Sequence, residues 1–541
     1  MLRTNLLALT ALVLPAAAHV GPGPGPGPGS PPAAGAPAPL SAPQEADEEA
    51  VKEFKRFFKK LETPEERVEA VLTLEGNESP TVVDALARHL DHDEADVVRA
   101  AIRVLAGFDT RPPVDRLVQV FGKTKAEASR VALLAILREG GWDGLGEVVE
   151  EALTDRSWAV RRQAVFALGA GAKTGTPLAA QLAALVADPE VAVRCAALDA
   201  LADAKAREVV PVAQAQLAAD KWQVRASAIR ALSLVRDKTS IPLLIDRLAA
   251  EEGRLVEDVG RALNAITGRN IGARAELWQR FWNTVANRKG RTYEIPTDAE
   301  LAKRAAAAKE TAKRYSSEDS VSFGGIETPS RAILFVIDVS GSMEDLIVDR
   351  DNFDPDLYPS WSRMDIVKTE LATTIDGLEP YVRFGIIAFA TETRQWKRTL
   401  VPANIVNKKS ALSFVSKLEP IGGNSKQDLV DVGLAQPEDL SMGKTNTYGA
   451  LALAFGIDQG KKRAKPSKEK YLGEVDTIFF LSDGKPTHGD YIAEKEILAR
   501  INEANGLRKI VLHTIAIGNF SKGFMEGLAI QNGGVFVDLG K

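Results

Sequence analysis

Apolar side chains recur at a fixed interval through the first half of the chain. Five similar segments each open on an alanine, 31 to 33 residues after the one before: Ala101, Ala132, Ala164, Ala197 and Ala228. Second amphipathic segments such as 242–248 lie between them. A repeating unit of two helices, which can bury its apolar stripe only against its neighbours, predicts an all-α solenoid over residues 49–288.

The hydrophobic pattern changes after residue 330. Apolar runs typical of buried strands occupy residues 332–337, 384–389, 477–481 and 510–517. Helical patterns alternate with them at residues 364–378, 408–418, 447–455, 492–507 and 524–531. Alternating strands and helices predict a doubly wound α/β domain over residues 331–541, joined to the solenoid by a connector, 289–330, with a solvated helix at 298–314 and a loop at 316–325.

The N-terminus predicts export. Residues 1–18 combine Arg3, a nine-residue apolar run at 6–14 and three alanines at 16–18, which is the pattern of a cleaved signal peptide. The apolar run is too short to span a membrane. Residues 19–48, rich in Gly, Pro and Ala, predict a disordered linker. The expected location is the periplasm or the cell exterior.

Composition excludes several functions. Lys plus Arg number 68 and Asp plus Glu number 73, so no overall basic field attracts nucleic acid. Cys195 is the only cysteine, which excludes an intrachain disulfide and cysteine-based metal centres; we expect it to be a buried, inert thiol.

The repeats carry a recognisable motif. A Val-Arg pair stands three or four residues before several of the alanines, as in Val160-Arg161, Val193-Arg194 and Val224-Arg225, with an Asp a few residues earlier. This pattern over residues 79–265 resembles bacterial-type HEAT repeats. The Thr-Pro-Leu-His signature of ankyrin repeats, which have a similar period, is absent.

Polar residues follow two of the predicted strands. Strand 332–337 runs into Asp338-Val-Ser340-Gly-Ser342, and strand 477–481 runs into Ser-Asp483-Gly. Between them in sequence, Thr445-Asn-Thr opens a helix. In this order the three motifs resemble a von Willebrand factor type A domain with its metal-ion-dependent adhesion site.

The resemblance implies a metal-binding function for five side chains. Ser340, Ser342 and Thr445 would supply hydroxyl oxygens, and Asp338 and Asp483 would bind the ion directly or through water. An all-oxygen set suits one hard divalent cation, Mg²⁺ first, with Ca²⁺ or Mn²⁺ as alternatives. Because only two of the ligands are charged, the ion would keep an open position for an Asp or Glu of a protein partner.

Three classes of catalytic site were compared with the same residues, and each lacks a residue that its chemistry needs. A haloacid-dehalogenase-type phosphatase needs a general acid where Ser340 stands. A phosphate-binding loop ending at Gly443 needs a glycine where Glu438 stands. No Gly-x-Ser-x-Gly surrounds Ser340 or Ser342, and His488 is not placed as their base. The chain is therefore predicted not to be an enzyme.

Side chains near the motifs are expected to form a rim around the site. The predicted rim consists of Glu344, Asp345, Tyr448 and His488. Residues 344–356 form an acidic insertion, for which a solvated rim fits better than a second calcium site, since the spacing matches no EF-hand. The insertion 422–442 borders the same mouth.

Together these features predict an exported scaffold protein in which a metal-dependent head and a solenoid both bind protein. The alternative is a regulatory subunit that assists a metal-handling or chaperone-type enzyme complex. No oligomeric state is predicted. The sequence ends two residues after a predicted final strand, 533–539. Unless helix 524–531 or the connector helix 298–314 takes its place, we expect no sliding helix after that strand and no two-state affinity switch in the head.

Overall fold

The structure is a computed structural model. It describes residues 42–142, 146–286, 292–308, 321–347, 358, 360–423, 427, 431, 442–457, 473–518 and 520–539. The predicted signal peptide, most of the predicted linker, and most of the insertions 344–356 and 422–442 lie outside these residues. The first described helix, α1 (Ala42–Phe57), begins inside the predicted linker, because Glu, Ala and Lys, which favour helices, follow Pro43.

Short helices form two layers in the first half of the chain. They are α2 (Pro64–Leu72), α3 (Pro80–Leu86), α4 (Ala95–Ala106), α5 (Arg111–Lys123), α6 (Glu127–Gly140), α7 (Gly146–Ala152), α8 (Trp158–Leu168), α9 (Pro177–Ala184), α10 (Val191–Asp203), α11 (Val209–Gln216), α12 (Trp222–Leu234), α13 (Ser240–Ala250), α14 (Leu255–Thr267) and α15 (Ala275–Ala286). The even-numbered helices α2 to α14 pack in sequence against one another as the inner layer. We call residues 64–286 the solenoid.

The repeated residues hold the solenoid together as the period predicts. The five alanines that define the period are each at most 2% exposed, which lets neighbouring inner helices approach closely. The Val-Arg arginines connect successive repeats: Arg161 pairs with Asp188 at 2.7 Å, and Arg225 pairs with Glu251 at 2.9 Å. Cys195 lies in α10, and burial raises the pKa of its thiol to about 11, as expected of an inert cysteine.

The second half of the chain folds around one main sheet. Its strands are β3 (Ala332–Asp338), β4 (Arg383–Phe389), β5 (Thr393–Gln395), β6 (Val401–Pro402), β7 (Thr477–Ser482), β8 (Val511–Ala516) and β9 (Phe536–Asp538), in the order β5-β4-β3-β7-β8-β9, with β6 also paired to β4. Its helices are α17 (Arg363–Gly377), α18 (Ile405–Ser416), α19 (Thr447–Ala454), α20 (Glu494–Arg508) and α21 (Lys522–Gln531), and α16 (Asp298–Ala308) precedes the domain. We call residues 321–539 the head. The predicted fold class, an α-solenoid followed by a doubly wound α/β domain, is confirmed.

Three small features of the head depart from the sequence prediction. Part of the predicted loop 316–325 is a hairpin, β1 (Val321–Phe323) and β2 (Ile326–Thr328), because Phe323 packs edge-on against two core phenylalanines. Gly324 and Gly325, both with positive φ, form its turn. The edge strands β5 and β6 were not predicted, since three or two residues carry too little pattern to identify a strand.

The head packs on the inner layer of the solenoid through α20 and the residues at its two ends. Just before α20, the Tyr491 hydroxyl donates to Asp96 of α4 at 2.7 Å and accepts a hydrogen bond from Arg99. Just after it, Lys509 forms an ion pair with Asp199 of α10. The head helix therefore lies along the repeats. No helix among the described residues is long and apolar enough to cross a membrane.

Candidate metal centre

Two carboxylates meet where adjacent parallel strands end. Strands β3 and β7 pair in register, Ile337 opposite Leu481, so Asp338 and Ser482 end the two strands side by side. The Ser482 hydroxyl donates to Asp338 Oδ2 at 2.6 Å, and Asp483 follows directly. Both carboxylates are at most 1% exposed. In open α/β sheets this edge is where ligands bind.

The turn after β3 brings both serines to the same point. The backbone N–H of Ser340 donates to Asp338 Oδ1 at 2.8 Å, which fixes the turn. The Ser340 and Ser342 hydroxyls lie 3.4 Å apart, and Ser342 donates to Asp483 Oδ1 at 2.9 Å. A backbone bond from Gly341 N–H to the Gly443 carbonyl, 3.1 Å, ties this turn to the loop that carries Thr445.

Thr445 approaches from that loop, just before α19. Its backbone N–H donates to Thr487 Oγ1 at 2.9 Å, and its carbonyl accepts from the N–H groups of Thr487 and His488. A Cβ at Gly484 would lie 3.5 Å from Thr445 Oγ1 and 3.9 Å from Ser342 Oγ, so the glycine leaves open the space beside these two hydroxyls. Thr445 itself is only 5% exposed, so its side chain lies at the buried end of this loop.

The buried carboxylates are electrostatically costly without a cation. Burial, together with the charge of Asp483, raises the pKa of Asp338 to about 7. Burial also raises the pKa of Asp483, although Arg363 and Ser342 favour its ionised form. A divalent ion bound here would remove this penalty, so the donor set fits a hard cation. In the described ranges, no group of three or more His, Cys, Asp or Glu side chains is arranged to hold a metal, and the present set contains two carboxylates beside three hydroxyls.

Two residues of the site were not identified from the sequence. Ser482, whose hydroxyl binds Asp338, stands next to a predicted ligand and could have been found by that position. Arg363 could not, because its distance from Ser342 in the chain depends on an insertion of unknown path. Its Nη1 donates to Asp483 Oδ2 at 2.8 Å and to the Ser342 carbonyl at 3.1 Å.

The predicted rim residues occupy different environments. Glu344 and Asp345 are half-buried beside the serine turn, and Asp345 Oδ2 lies 3.3 Å from Arg363 Nη1. His488 is exposed, and its backbone reaches the carbonyl of Thr445. Tyr448 is 5% exposed, and its ring packs edge-on against Tyr491, with centroids 4.6 Å apart. The Tyr448 side chain therefore faces the contact with the solenoid and is closed to an external partner.

Comparison with known families agrees with the two folds. Residues 178–264 match the model of HEAT repeats, and residues 359–538 match that of the von Willebrand factor type A domain. The chain carries HEAT repeats and a von Willebrand factor type A domain. The HEAT repeats and the type A domain predicted from the sequence are thereby confirmed, and the metal-ion-dependent adhesion site stays a prediction. The head is called the type A domain where its family matters.

Curated relatives match over a similar extent of the chain. Human inter-alpha-trypsin inhibitor heavy chain H4 is 28% identical over 212 residues, 39% of this chain and 18% of the relative. The H4 protein of Bos taurus is 26% identical over 216 residues, and heavy chain H1 of Mesocricetus auratus 24% over 207. The chain thus spans less than a fifth of the length of these relatives.

Solved structures resemble the chain only distantly. The PilB minor pilin from Streptococcus sanguinis is 15% identical over 39% of this chain and 57% of its own, with a TM-score of 0.25. The RO (RSR) protein of Deinococcus radiodurans is 12% identical over 86% of this chain and 90% of its own, with a TM-score of 0.20. Neither likeness supports a conclusion about function.

Proposed function

We propose that this is an exported, non-enzymatic scaffold protein whose type A domain docks an acidic side chain of a protein partner through one divalent cation. The observation that carries the proposal is the convergence of five oxygen-bearing side chains at one sheet edge: Asp338, Ser340, Ser342, Thr445 and Asp483. The type A domain and the heavy-chain relatives support a role in protein interaction at this coarser level.

The same residues would hold the ion and leave room for a partner. Asp338 and Asp483 supply the negative charge, and the three hydroxyls supply neutral oxygens that leave the ion electron-poor. Bound there, a cation such as Mg²⁺ would provide an electrophilic site for a foreign carboxylate. The absence of a side chain at Gly484, beside the Thr445 and Ser342 hydroxyls, supports an opening at this side of the site.

The surroundings support binding over catalysis. In the described part of the site, no histidine or lysine side chain contacts the Ser340 and Ser342 hydroxyls: they contact each other and Asp483, whose other oxygen is bound by Arg363. His488 is exposed and interacts with the Thr445 loop through its backbone. In this proposal Asp483 is engaged by Arg363 and by the cation, so it is not free to activate a serine as a nucleophile.

The solenoid supplies the second binding surface in this proposal. Part of its inner layer is covered by α20, and beside the covered part lies a cleft of about 1220 Å³ between the solenoid and the head. Its floor includes the half-buried Val68, Leu72 and Ile102, and Glu69 and Glu503 stand at its walls. A cleft larger than the ~300–1,000 Å³ typical of small-molecule pockets suits a segment of a protein.

Thermal unfolding with and without metal tests the site. Because a cation that binds only the folded state stabilises it, Mg²⁺ or Mn²⁺ at a hundredfold excess over Kd should stabilise the head by about 2.7 kcal/mol. Asp338→Ala should abolish this shift. His488→Ala, a change at the exposed rim, is the matched control and should preserve it. An identical unfolding transition in metal and in chelator would show that the site assignment is wrong.

Partner binding provides a second, independent test. Once a partner is captured from the native envelope fraction, chelation or Ser342→Ala should weaken its binding without unfolding the head. Binding that survives both treatments would place the interface on the solenoid instead.

A further inference from the structure

A buried arginine lies directly behind the candidate metal centre. Arg363 is the first residue of α17, whose N-terminus is capped by Ser362. Its side chain is 10% exposed and reaches Asp483 Oδ2 at 2.8 Å, opposite the oxygen that accepts from Ser342. One guanidinium therefore contacts both a predicted ligand and, through the Ser342 carbonyl at 3.1 Å, the serine turn.

The fold makes room for this arginine at a cost. A Cβ at Gly518 would lie 2.4 Å from Arg363 Nε and 2.5 Å from Cζ, so any other residue at 518 would displace the guanidinium. Gly518 also has a φ of +95°, a conformation that other residues rarely adopt. Among the described residues Arg363 Nε is buried without an acceptor, which is unfavourable. The glycine at 518 thus leaves the space that the positively charged side chain of Arg363 occupies.

The charge of Arg363 changes the electrostatic balance of the site. Asp338 and Asp483 carry two negative charges when ionised, and Arg363 offsets one of them. With a divalent cation added, these three buried side chains and the ion carry one net positive charge, whereas without the arginine they would be neutral. Asp345, which is 42% exposed and pairs with the same guanidinium, adds one partly screened negative charge in both cases. In a buried site, where charges are poorly screened, this difference acts both on the cation and on any incoming carboxylate.

We propose that Arg363 is a positioning residue that weakens cation binding in order to keep the loaded site attractive to an acidic group. This inference rests on the proposed function. Arg363 competes electrostatically with the cation for Asp483, and it holds that carboxylate in place through the hydrogen bond to Oδ2. Asp345 of the predicted rim lies 3.3 Å from the same Nη1, so its charge also acts on the guanidinium.

The test measures Mn²⁺ affinity of the full chain by electron paramagnetic resonance and calorimetry. Arg363→Gln removes the charge and should tighten Mn²⁺ binding about tenfold, within the range by which neighbours of metal ligands alter affinity. Arg363→Lys keeps the charge and should stay close to the original protein. Lys368→Gln is the matched control, because Lys368 lies on the same helix but pairs with Glu419. It should leave the affinity unchanged.

The direction of the change separates this inference from a purely structural role. Loss of a structural support would weaken Mn²⁺ binding, whereas loss of a competing charge strengthens it. If Arg363→Gln fails to fold in chelator, Arg363→Met, which keeps the apolar stem, takes its place, and failure of both to fold assigns Arg363 a structural role and overturns the inference. Weaker or unchanged binding in a folded variant also overturns it and leaves the metal site standing. If the unaltered chain binds no Mn²⁺, the proposed function itself fails.

Discussion

Replacing Asp338 by asparagine should stabilise the protein when no metal is bound. Asp338 is fully buried, and burial together with the neighbouring Asp483 raises its pKa to about 7, from 3.8 in an exposed chain. The folded state therefore holds a proton on this carboxyl more tightly than the unfolded state does. Asparagine is uncharged and keeps an oxygen for the Ser340 N–H, so it retains the geometry without the charge.

The sign and size follow from linkage. Because the folded pKa is the higher one, this group does not oppose folding below pH 3.8, and its penalty grows as the pH rises towards 7. At 1.36 kcal/mol for each pKa unit, the full penalty is about 4 kcal/mol, and more than half of it develops between pH 5 and pH 8. Asp338→Asn also loses the charge-assisted hydrogen bond from Ser482, which reduces the stabilisation of the variant by about 1–2 kcal/mol.

Denaturant unfolding of both proteins in chelator, at several pH values, measures the effect. The free energy of unfolding of Asp338→Asn minus that of the original protein should increase from pH 5 to pH 8, and subtraction cancels the titration of groups that both share. In saturating Mg²⁺ the order should reverse, since only the original protein gains metal-binding energy. Ser416→Ala, an exposed position in α18 that removes no charge and does not contact Asp338, is the control and should show no such pH dependence.

One result would refute this reasoning. If Asp338→Asn is less stable than the original protein in chelator at every pH, the carboxylate stabilises the metal-free fold. The buried pair would then already be neutralised by its surroundings, and no electrostatic penalty would remain for a cation to remove.

Other predictions concern the solenoid. Ala197→Glu would bury an unpaired charge between inner helices and should cost about 3–5 kcal/mol in denaturant unfolding; a tolerated glutamate would mean that this face does not lie inside. Tyr491→Phe removes the hydroxyl bound to Asp96 and should lower stability by about 1–3 kcal/mol, whereas Tyr381→Phe, at a residue 46% exposed, should change little; equal effects would contradict the contact between solenoid and head. Cys195 should react with thiol reagents only as the protein unfolds, and rapid labelling of folded protein would show that it is accessible.

The larger elements were predictable because each leaves a long pattern. The alanine period requires several residues per repeat to agree, and all five alanines are buried. The apolar runs that became β3 and β7 end directly in Asp338 and Ser482-Asp483, and strand ends in a parallel sheet share one edge. The sequence pattern therefore predicted that both carboxylates lie at one edge of the sheet, and the order of the strands, with β3 beside β7, brings them together.

Features that depend on contacts between distant segments were not predictable. Tyr448 follows a predicted ligand by three residues, which suggested a rim position, but its direction is set by Tyr491 and the solenoid beyond it. Arg363 reaches Asp483 across 120 residues of sequence. No local pattern records such a pairing, because it depends on where α17 packs and on the absence of a side chain at Gly518.

The way α20 lies along the repeats has a consequence for the length of the array. In a repeat protein each unit contacts only its neighbours, so units can ordinarily be gained or lost without harm. Here the head contacts the repeats at three separated residues: Asp96 in α4, Asp199 in α10 and Arg254 just before α14. Arg254 donates to the Lys509 carbonyl at 2.8 Å. Deleting a single repeat between α4 and α10 would bring the first two anchor points closer by one unit while α20 kept its length. Because the length of α20 is constant, the domain that follows the repeats fixes the number of repeats between these contacts.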